Sequence, residues 1–464
     1  MIRHLTSVFL IVALVLPSAA WGLSETERNG DEPPNVLLIT AHDLGQHLGS
    51  YGVKTVRTPN VDRLAEKGIR FANAYSASGV CTPGRASLLT GTYPQTNGLM
   101  GLTHSPWWWS FTEEAKSWHM ANIFRQNGYS TYLIGLQHVT QGSVEELGYQ
   151  NYESRESNAE ETVTETVELI EQERADPFFA KVGFTQVHRG FPHGVDSTKG
   201  VFIPPYMQDT RVIREDLARF QAEIHYLDQK VGDILHALYE RPESARNTIV
   251  IFTSEHGIPF PGAKWTVRKA GIEIPLIMYR ADSFLSGGKV YQDVISNVDV
   301  LPTLLDLVGI GVGSHPQIEG KSFHGYLEGS VDEAPRSMAF SQYTPDMKRD
   351  NLSRSVITEK YHLIRYFNQG RSVDYPTDVN PVKFASHVHR MDTDGARPFA
   401  QLFDIEKDEY ELNNISTDPK NRKVVRQLSR ELVEWMRRVD DDLLKGPLET
   451  PYYRRAIKDL NEHR

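Results

Sequence analysis

The 464-residue chain has a single cysteine, Cys81, at the head of the run Cys81-Thr82-Pro83-Gly84-Arg85-Ala86-Ser87-Leu88-Leu89-Thr90-Gly91. A lone thiol in an exported protein is a liability without a purpose, unless it is buried and inert. A turn with a helix-starting proline accounts for Pro83, but not for the cysteine and arginine together. Acid and imidazole side chains adjoin at two further places, Ala41-His42-Asp43-Leu44-Gly45 and Thr253-Ser254-Glu255-His256-Gly257. Both follow strand-like runs. His138, His188-Arg189 and Lys264 add proton-donating or cationic groups. Alone, each would read as a surface residue; their order and spacing carry the argument.

The segment from Cys81 to Gly91, continued by Thr92-Tyr93-Pro94, resembles the C-x-P-x-R signature of type I sulfatases. In that family the cysteine is oxidised to formylglycine by a partner enzyme. The hydrated aldehyde attacks sulfur with one hydroxyl and expels sulfate with the help of the other. The resemblance implies that Cys81 is the nucleophile and that Arg85 holds it. Asp43, Glu255 and His256 would bind one divalent cation that activates the hydroxyl and polarises the sulfate. Calcium is the first expectation, with zinc or manganese as alternatives given His42 and His256. His42 stands where the family has an aspartate, as a fourth protein ligand or set aside in favour of water.

Ile134-Gly135-Leu136-Gln137-His138 matches the family's G-K-x-H segment except that Leu136 replaces the lysine. His138 can still donate to the sulfate or leaving oxygen, but a leucine neutralises no charge. His188 and Lys264 fall at further sulfate-facing positions, with Arg189 beside them as a substrate-binding group. The resemblance runs well from Pro34 to Leu307 and loosely beyond, to Leu402-Phe403-Asp404-Ile405 and Glu411-Leu412-Asn413-Asn414. Ile258-Pro259-Phe260-Pro261 and the His188-Arg189 step look most like heparan N-sulfatases, the sulfamidases. The implied activity is hydrolysis of a sulfate ester or sulfamate on a sulfated glycan. A phosphoester or phosphonate hydrolase of the alkaline-phosphatase superfamily is a second reading, favoured by the histidine-rich ligand set. A glycan-binding protein on a decayed frame is a third, favoured by His42 and Leu136. Trp107-Trp108-Trp109 could stack on sugar rings or pack inward; three consecutive residues cannot all face one way.

The formal charge of -10 leaves no basic footprint for nucleic acid, so an anionic substrate needs a locally positive pocket. Arg3 and His4 precede an apolar run from Leu5 to Leu16, and small residues follow at Ser18-Ala19-Ala20. This reads as a signal peptide over 1–22, so export to the periplasm or outside the cell after its cleavage is expected, without stable membrane insertion. Residues 23–34 then form a polar tail.

Elements that could position these residues alternate. Strands are expected at Asn35 to Thr40, Thr131 to Gly135, Phe178 to Phe184, Thr248 to Thr253 and Ile274 to Tyr279. Helices are expected from a Thr58 cap and Pro59 to Gly68, and near Lys116 to Gln126, Glu160 to Glu173 and Val212 to Tyr239. The implied fold class is α/β, a large mainly parallel sheet sandwiched by helices, alkaline-phosphatase/sulfatase-like, with sites at the carboxyl ends of the strands. A helix-like segment from Asp299 to Gly309 precedes a Gly-, Pro- and Ser-rich stretch from Gly311 to Arg336. The expected division is a catalytic domain over 35–335 and a smaller α+β domain over 336–464. In the latter a hairpin (Ser355 to Thr358, Tyr361 to Tyr366), a strand at Leu402 to Ile405 and a helix at Lys420 to Val439 are expected.

Overall fold

The computed structural model describes residues 33–104, 106–153, 158–344, 352–368, 378–379 and 398–449, with positions 451, 454 and 458. The expected signal peptide and most of the polar tail lie outside the described residues. No helix among the described residues is long and apolar enough to cross a membrane. The described residues from Pro33 onward belong to one compact unit.

Among the described residues, twelve strands build two sheets. The large sheet holds β1 (Asn35–Ala41), β2 (Ile69–Tyr75), β3 (Ser130–Gly135), β4 (Asn151–Glu153), β5 (Phe178–Gly183), β6 (Thr248–Ser254), β7 (Leu276–Tyr279) and β8 (Lys289–Ser296). Their order is β4-β3-β5-β1-β6-β7-β2-β8. Only β7 runs antiparallel to its neighbours β6 and β2. The small sheet is an antiparallel meander of β9 (Met338–Tyr343), β10 (Ser353–Thr358), β11 (Tyr361–Tyr366) and β12 (Ala400–Asp404). The expected α/β architecture with a smaller mixed region is thus what the chain adopts.

Side chains alternate across a strand, so β1 serves two cores at once. Leu37 and Ile39 join Leu217, Ile224 and Val231 of the helix Arg211–Tyr239 on one face. Val36 and Leu38 join Phe124 and Leu88 on the other. The small sheet is likewise covered on both sides. Phe340, Val356, Leu363 and Leu402 meet Trp435 of the helix Arg422–Arg438. Ala339, Ile357, Ile364 and Phe403 share a cluster with Cys81, Tyr75 and Trp265, so the small sheet backs the cysteine.

Several local expectations give way to tertiary contacts. The helix expected near Lys116 to Gln126 is two, Glu113–Ser117 and Met120–Gln126. The ring of His119 breaks it by accepting from the Ala121 amide at 3.2 Å and capping the second helix. Thr58 precedes the helix Pro59–Lys67 but does not cap it; its hydroxyl bonds Asp62 instead. The first-turn amides of Asn60 and Val61 are held by the distant carboxylate of Asp228 at 3.1 and 2.9 Å. Strands β2, β4, β8 and β9 carry mixed polar patterns that periodicity does not single out. β8 shows why: its first residues, Lys289 and Val290, are exposed at the sheet edge.

Candidate active site

Strand register brings the site together. Ala41 pairs with Ser254, Thr40 with Gly183, and Gly183 with Gly135, so β1, β6, β5 and β3 end level with one another. The loops leaving that edge carry His42-Asp43, Glu255-His256, His188 and His138. Backbone bonds tie the loops: His42 N to Gln186 O (2.8 Å), Val187 N to His42 O (2.7 Å) and Gly45 N to His256 O (3.0 Å). Asp43 and His138 hold left-handed backbone, with φ of 55° and 54°. Non-glycine residues adopt it only where surroundings enforce it, and such strain gathers at functional positions.

Cys81 begins the helix Cys81–Thr90, whose ten residues are all buried. The helix lies so close to the β6 loop that a Cβ at Gly84 would come within 2.5 Å of the Glu255 carbonyl. Only glycine permits that approach. It sets the Cys81 Sγ 3.3 Å from His256 Nε2 and 3.9 Å from Asp43 Oδ1.

Around the sulfur, donor atoms of His42, Asp43, Cys81, Glu255 and His256 lie within 4.8 Å of one another, all buried. His42 points inward, its Nδ1 2.8 Å from both Asp43 Oδ1 and Glu255 Oε1. His256 Nδ1 is 2.8 Å from the Gly257 carbonyl. It must donate there, so Nε2 is the nitrogen turned to the cluster, 3.0 Å from Asp43 Oδ1. Two carboxylate oxygens and two imidazole nitrogens converging in one buried pocket fit a divalent cation.

Cations flank the cluster. Arg85 reaches Glu255 Oε2 at 3.1 Å and lies near Thr40 Oγ1 at 3.3 Å. Lys264 bridges Asp43 Oδ2 (2.6 Å) and Asp378 Oδ2 (3.0 Å). Burial alone would raise the Asp43 carboxyl, but Lys264, with His42, His256 and His188, holds it well below the usual range. Burial opposes the charge on Lys264, and Asp43 with its neighbours reverses that, raising its pKa. His42 behaves alike: Glu255 and Asp43 outweigh desolvation and raise it above an ordinary histidine. His188 is instead lowered to about 4, chiefly by burial, and is neutral at pH 7. His138 is pushed well below the ordinary value by burial, and its Nδ1 has no hydrogen-bond partner. Burial also pushes the Cys81 thiol well up, so as a thiol it is a poor nucleophile.

The structure therefore gathers His42, Asp43, Cys81, Arg85, His138, His188, Glu255, His256 and Lys264. Arg189 points elsewhere: its guanidinium bonds Asp216 (2.6 Å) and the Pro259 carbonyl (2.7 Å) and lies over Phe191 and Phe260. That arrangement braces the His188 loop against the segment leading to Lys264. Of the three tryptophans, Trp109 packs inward against Gly101, while Trp108 is 36% exposed. Trp107 contacts Trp265 and His104, and His104 stacks on His138 at 6.1 Å. Asp378 was absent from the sequence reading; it sits 114 residues from Lys264, in a polar stretch with no local signal.

A helix-covered, mainly parallel sheet with acids, imidazoles and a cysteine gathered at its carboxyl edge is the build of a hydrolase with the alkaline-phosphatase-like fold. The fold is shared with a structure from work on glycosaminoglycan metabolism by Bacteroides thetaiotaomicron. Its TM-score is 0.70 at 20% identity, covering 92% of this chain and 99% of that one. Another, in complex with its substrate D-glucosamine-2-N,6-O-disulfate, gives 0.69 at 18% identity, covering 89% and 99%. The sulfatase family model matches residues 34–310, and a model for the C-terminal region of N-sulphoglucosamine sulphohydrolase matches 260–392. The chain belongs to the sulfatase family and is a sulfatase. Among relatives, human N-sulphoglucosamine sulphohydrolase is 27% identical over 89% of this chain and 92% of its own length. An ulvan-active sulfatase of Formosa agariphila is 25% identical over 91% and 78%.

Proposed function

We propose that the protein hydrolyses the sulfamate of an N-sulfated amino sugar, with oxidised Cys81 as the nucleophile and one divalent cation beside it. The observation that carries this reading is the buried cluster around the Cys81 sulfur, walled by Arg85 and Lys264. The match to the N-sulphoglucosamine sulphohydrolase C-terminal model and the human relative support the amino-sugar substrate. Oxidised to formylglycine by a modifying enzyme, Cys81 would supply a hydrated aldehyde in place of a thiol that burial leaves unreactive. Asp43, Glu255, His256 and His42 would hold the cation, which supplies Lewis-acid stabilisation of the sulfate oxygens when bound. With His42 turned inward the donors are mixed oxygen and nitrogen, which favours zinc or manganese over calcium.

The chain's own groups do the rest. Arg85 fixes Glu255 and lends charge behind the nucleophile. Lys264 faces the incoming sulfate and offsets the charge that builds on it. His138, kept neutral by burial, can still donate a ring N–H to the sulfate, and the proton that the attacking hydroxyl gives up goes to the leaving nitrogen as the S–N bond breaks. Asp378, beside Lys264 and His188, can accept from the sugar. The charge deficit left by Leu136 is met in part by these cations, so turnover is expected.

The test is mass spectrometry across Cys81, followed by assays on N-sulfated glucosamine, O-sulfated sugars and a phosphate ester. Expected are a converted Cys81, preference for the sulfamate, and loss of at least a thousandfold in turnover for Cys81→Ala, as nucleophile removal causes elsewhere. Wild-type rates in Cys81→Ala, or preference for the phosphate ester, would overturn the reading.

A further inference from the structure

Lys181 lies mid-strand in β5, between Leu38 of β1 and Leu133 of β3, and is 1% exposed. Ammonium groups are almost never buried without a carboxylate partner, because desolvation is so costly. Yet no carboxylate among the described residues lies within ion-pair distance of Lys181. Its Nζ donates instead to the backbone carbonyl of Leu136. A slot is cut for it: a Cβ at Gly183, the next residue on the same face of β5, would collide with both the Lys181 Nζ and the Leu136 carbonyl. Burial pushes the Lys181 amine well below its usual range; Arg85 adds to that and Glu255 opposes it, and both belong to the active site.

The Leu136 carbonyl opens the turn that delivers His138. That turn has left-handed backbone at Gly135 (φ 74°) and His138 (φ 54°). The Leu136 amide is held by the Gly183 carbonyl at 2.9 Å, so with Lys181 the peptide is clamped on both sides. A methionine at 181 would fill the same apolar space at lower desolvation cost, so packing alone does not account for a lysine.

We infer that Lys181 is a positioning residue of the active site: from beneath the sheet edge its Nζ clamps the Leu136 carbonyl and so fixes the turn that carries His138. The inference rests on the sulfatase reading above, and deepens it by assigning a group outside the pocket to the placement of His138 against the sulfate. Lys181 touches no reacting atom; it acts through the Leu136–His138 turn.

The experiment compares wild type, Lys181→Met and Lys181→Gln, which keeps an N–H donor without an ammonium. The readouts are the thermal midpoint with and without sodium sulfate, and kcat and KM on the sulfated sugar. Lys181→Met is expected to keep or raise the midpoint, since a costly buried amine is gone. Its sulfate-induced rise should shrink, and kcat should fall roughly 10- to 100-fold, the usual effect of losing a group that orients a ligand. Lys181→Gln should recover part of both. Should Lys181→Met fail to fold, Lys181→Leu takes its place and is read in the same way. Wild-type kcat with a full sulfate shift in the apolar variant overturns the inference. So does a parallel fall of midpoint and kcat that Lys181→Gln does not repair, which marks a structural role alone. A wild type that neither turns over sulfated sugars nor responds to sulfate defeats the sulfatase reading itself, and this inference with it.

Discussion

His42 is the residue that most changes the character of the site. Its Nδ1 lies equally close to Asp43 and Glu255, so without a metal its N–H is shared between two carboxylates, which raise its pKa. With a metal, the same nitrogen must give up its proton to become a donor. Replacing it by an oxygen donor should therefore change which ion is held. His42→Asp is expected to raise the calcium content of purified protein at the expense of zinc or manganese, measured by elemental analysis. An unchanged metal ratio would mean that His42 is no ligand. Much of this centre was legible from residue types and order, because His42, Asp43, Glu255, His256 and His138 come just after strands. Two members were not. Asp378 reaches Lys264 across 114 positions, and Lys181 reads as an interruption of the apolar run Phe178-Phe179-Ala180-Lys181-Val182. Nothing local tells where a lysine's long stem will carry its charge.

At the scale of elements, the Cys81–Thr90 helix is fixed at its far end by the 319–320 segment. The amides of Glu319 and Gly320 both bond the Gly91 carbonyl at 2.9 Å. The Glu319 carboxylate takes the Tyr93 amide at 2.7 Å. Burial pushes the Glu319 carboxyl up to about 7 from an ordinary 4.5. The folded state then binds more protons than the unfolded chain between those values. Stability accordingly falls as pH rises from about 4.5 to about 7 and is level above. Glu319→Gln keeps an acceptor for Tyr93 and removes the titration. The variant should match wild type near pH 4.5 and have the higher thermal midpoint at pH 8; equal midpoints at both would refute the assignment. The helices and central strands were readable because their apolar periods are strong, as in Arg211–Tyr239. Capping was not, since Asp228 serves the Pro59 helix from 168 residues away.

Across the whole molecule, the small sheet is part of the active-site wall: β9, β10, β11 and β12 share a core with Cys81. A buried pair joins the same sheet to the end of the last long helix, Arg354 meeting Asp441 at 2.6 Å with both side chains inaccessible. Residues from position 42 to position 441 must therefore be in place before the pocket is closed. Cys81 is left 3% exposed, its helix wholly enclosed. If a second enzyme oxidises this sulfur, as proposed above, enclosure imposes a schedule. Chemical maturation has to come before tertiary closure, while the segment is still an accessible strip of polypeptide. Folded, unoxidised protein should resist conversion, and the same chain held open in urea or presented as a peptide spanning Cys81 to Thr92 should accept it. Efficient oxidation of the native fold would mean that the helix opens locally. Otherwise, the fraction of active molecules is decided once, during synthesis, by a race between the modifying enzyme and collapse of the chain around its own nucleophile.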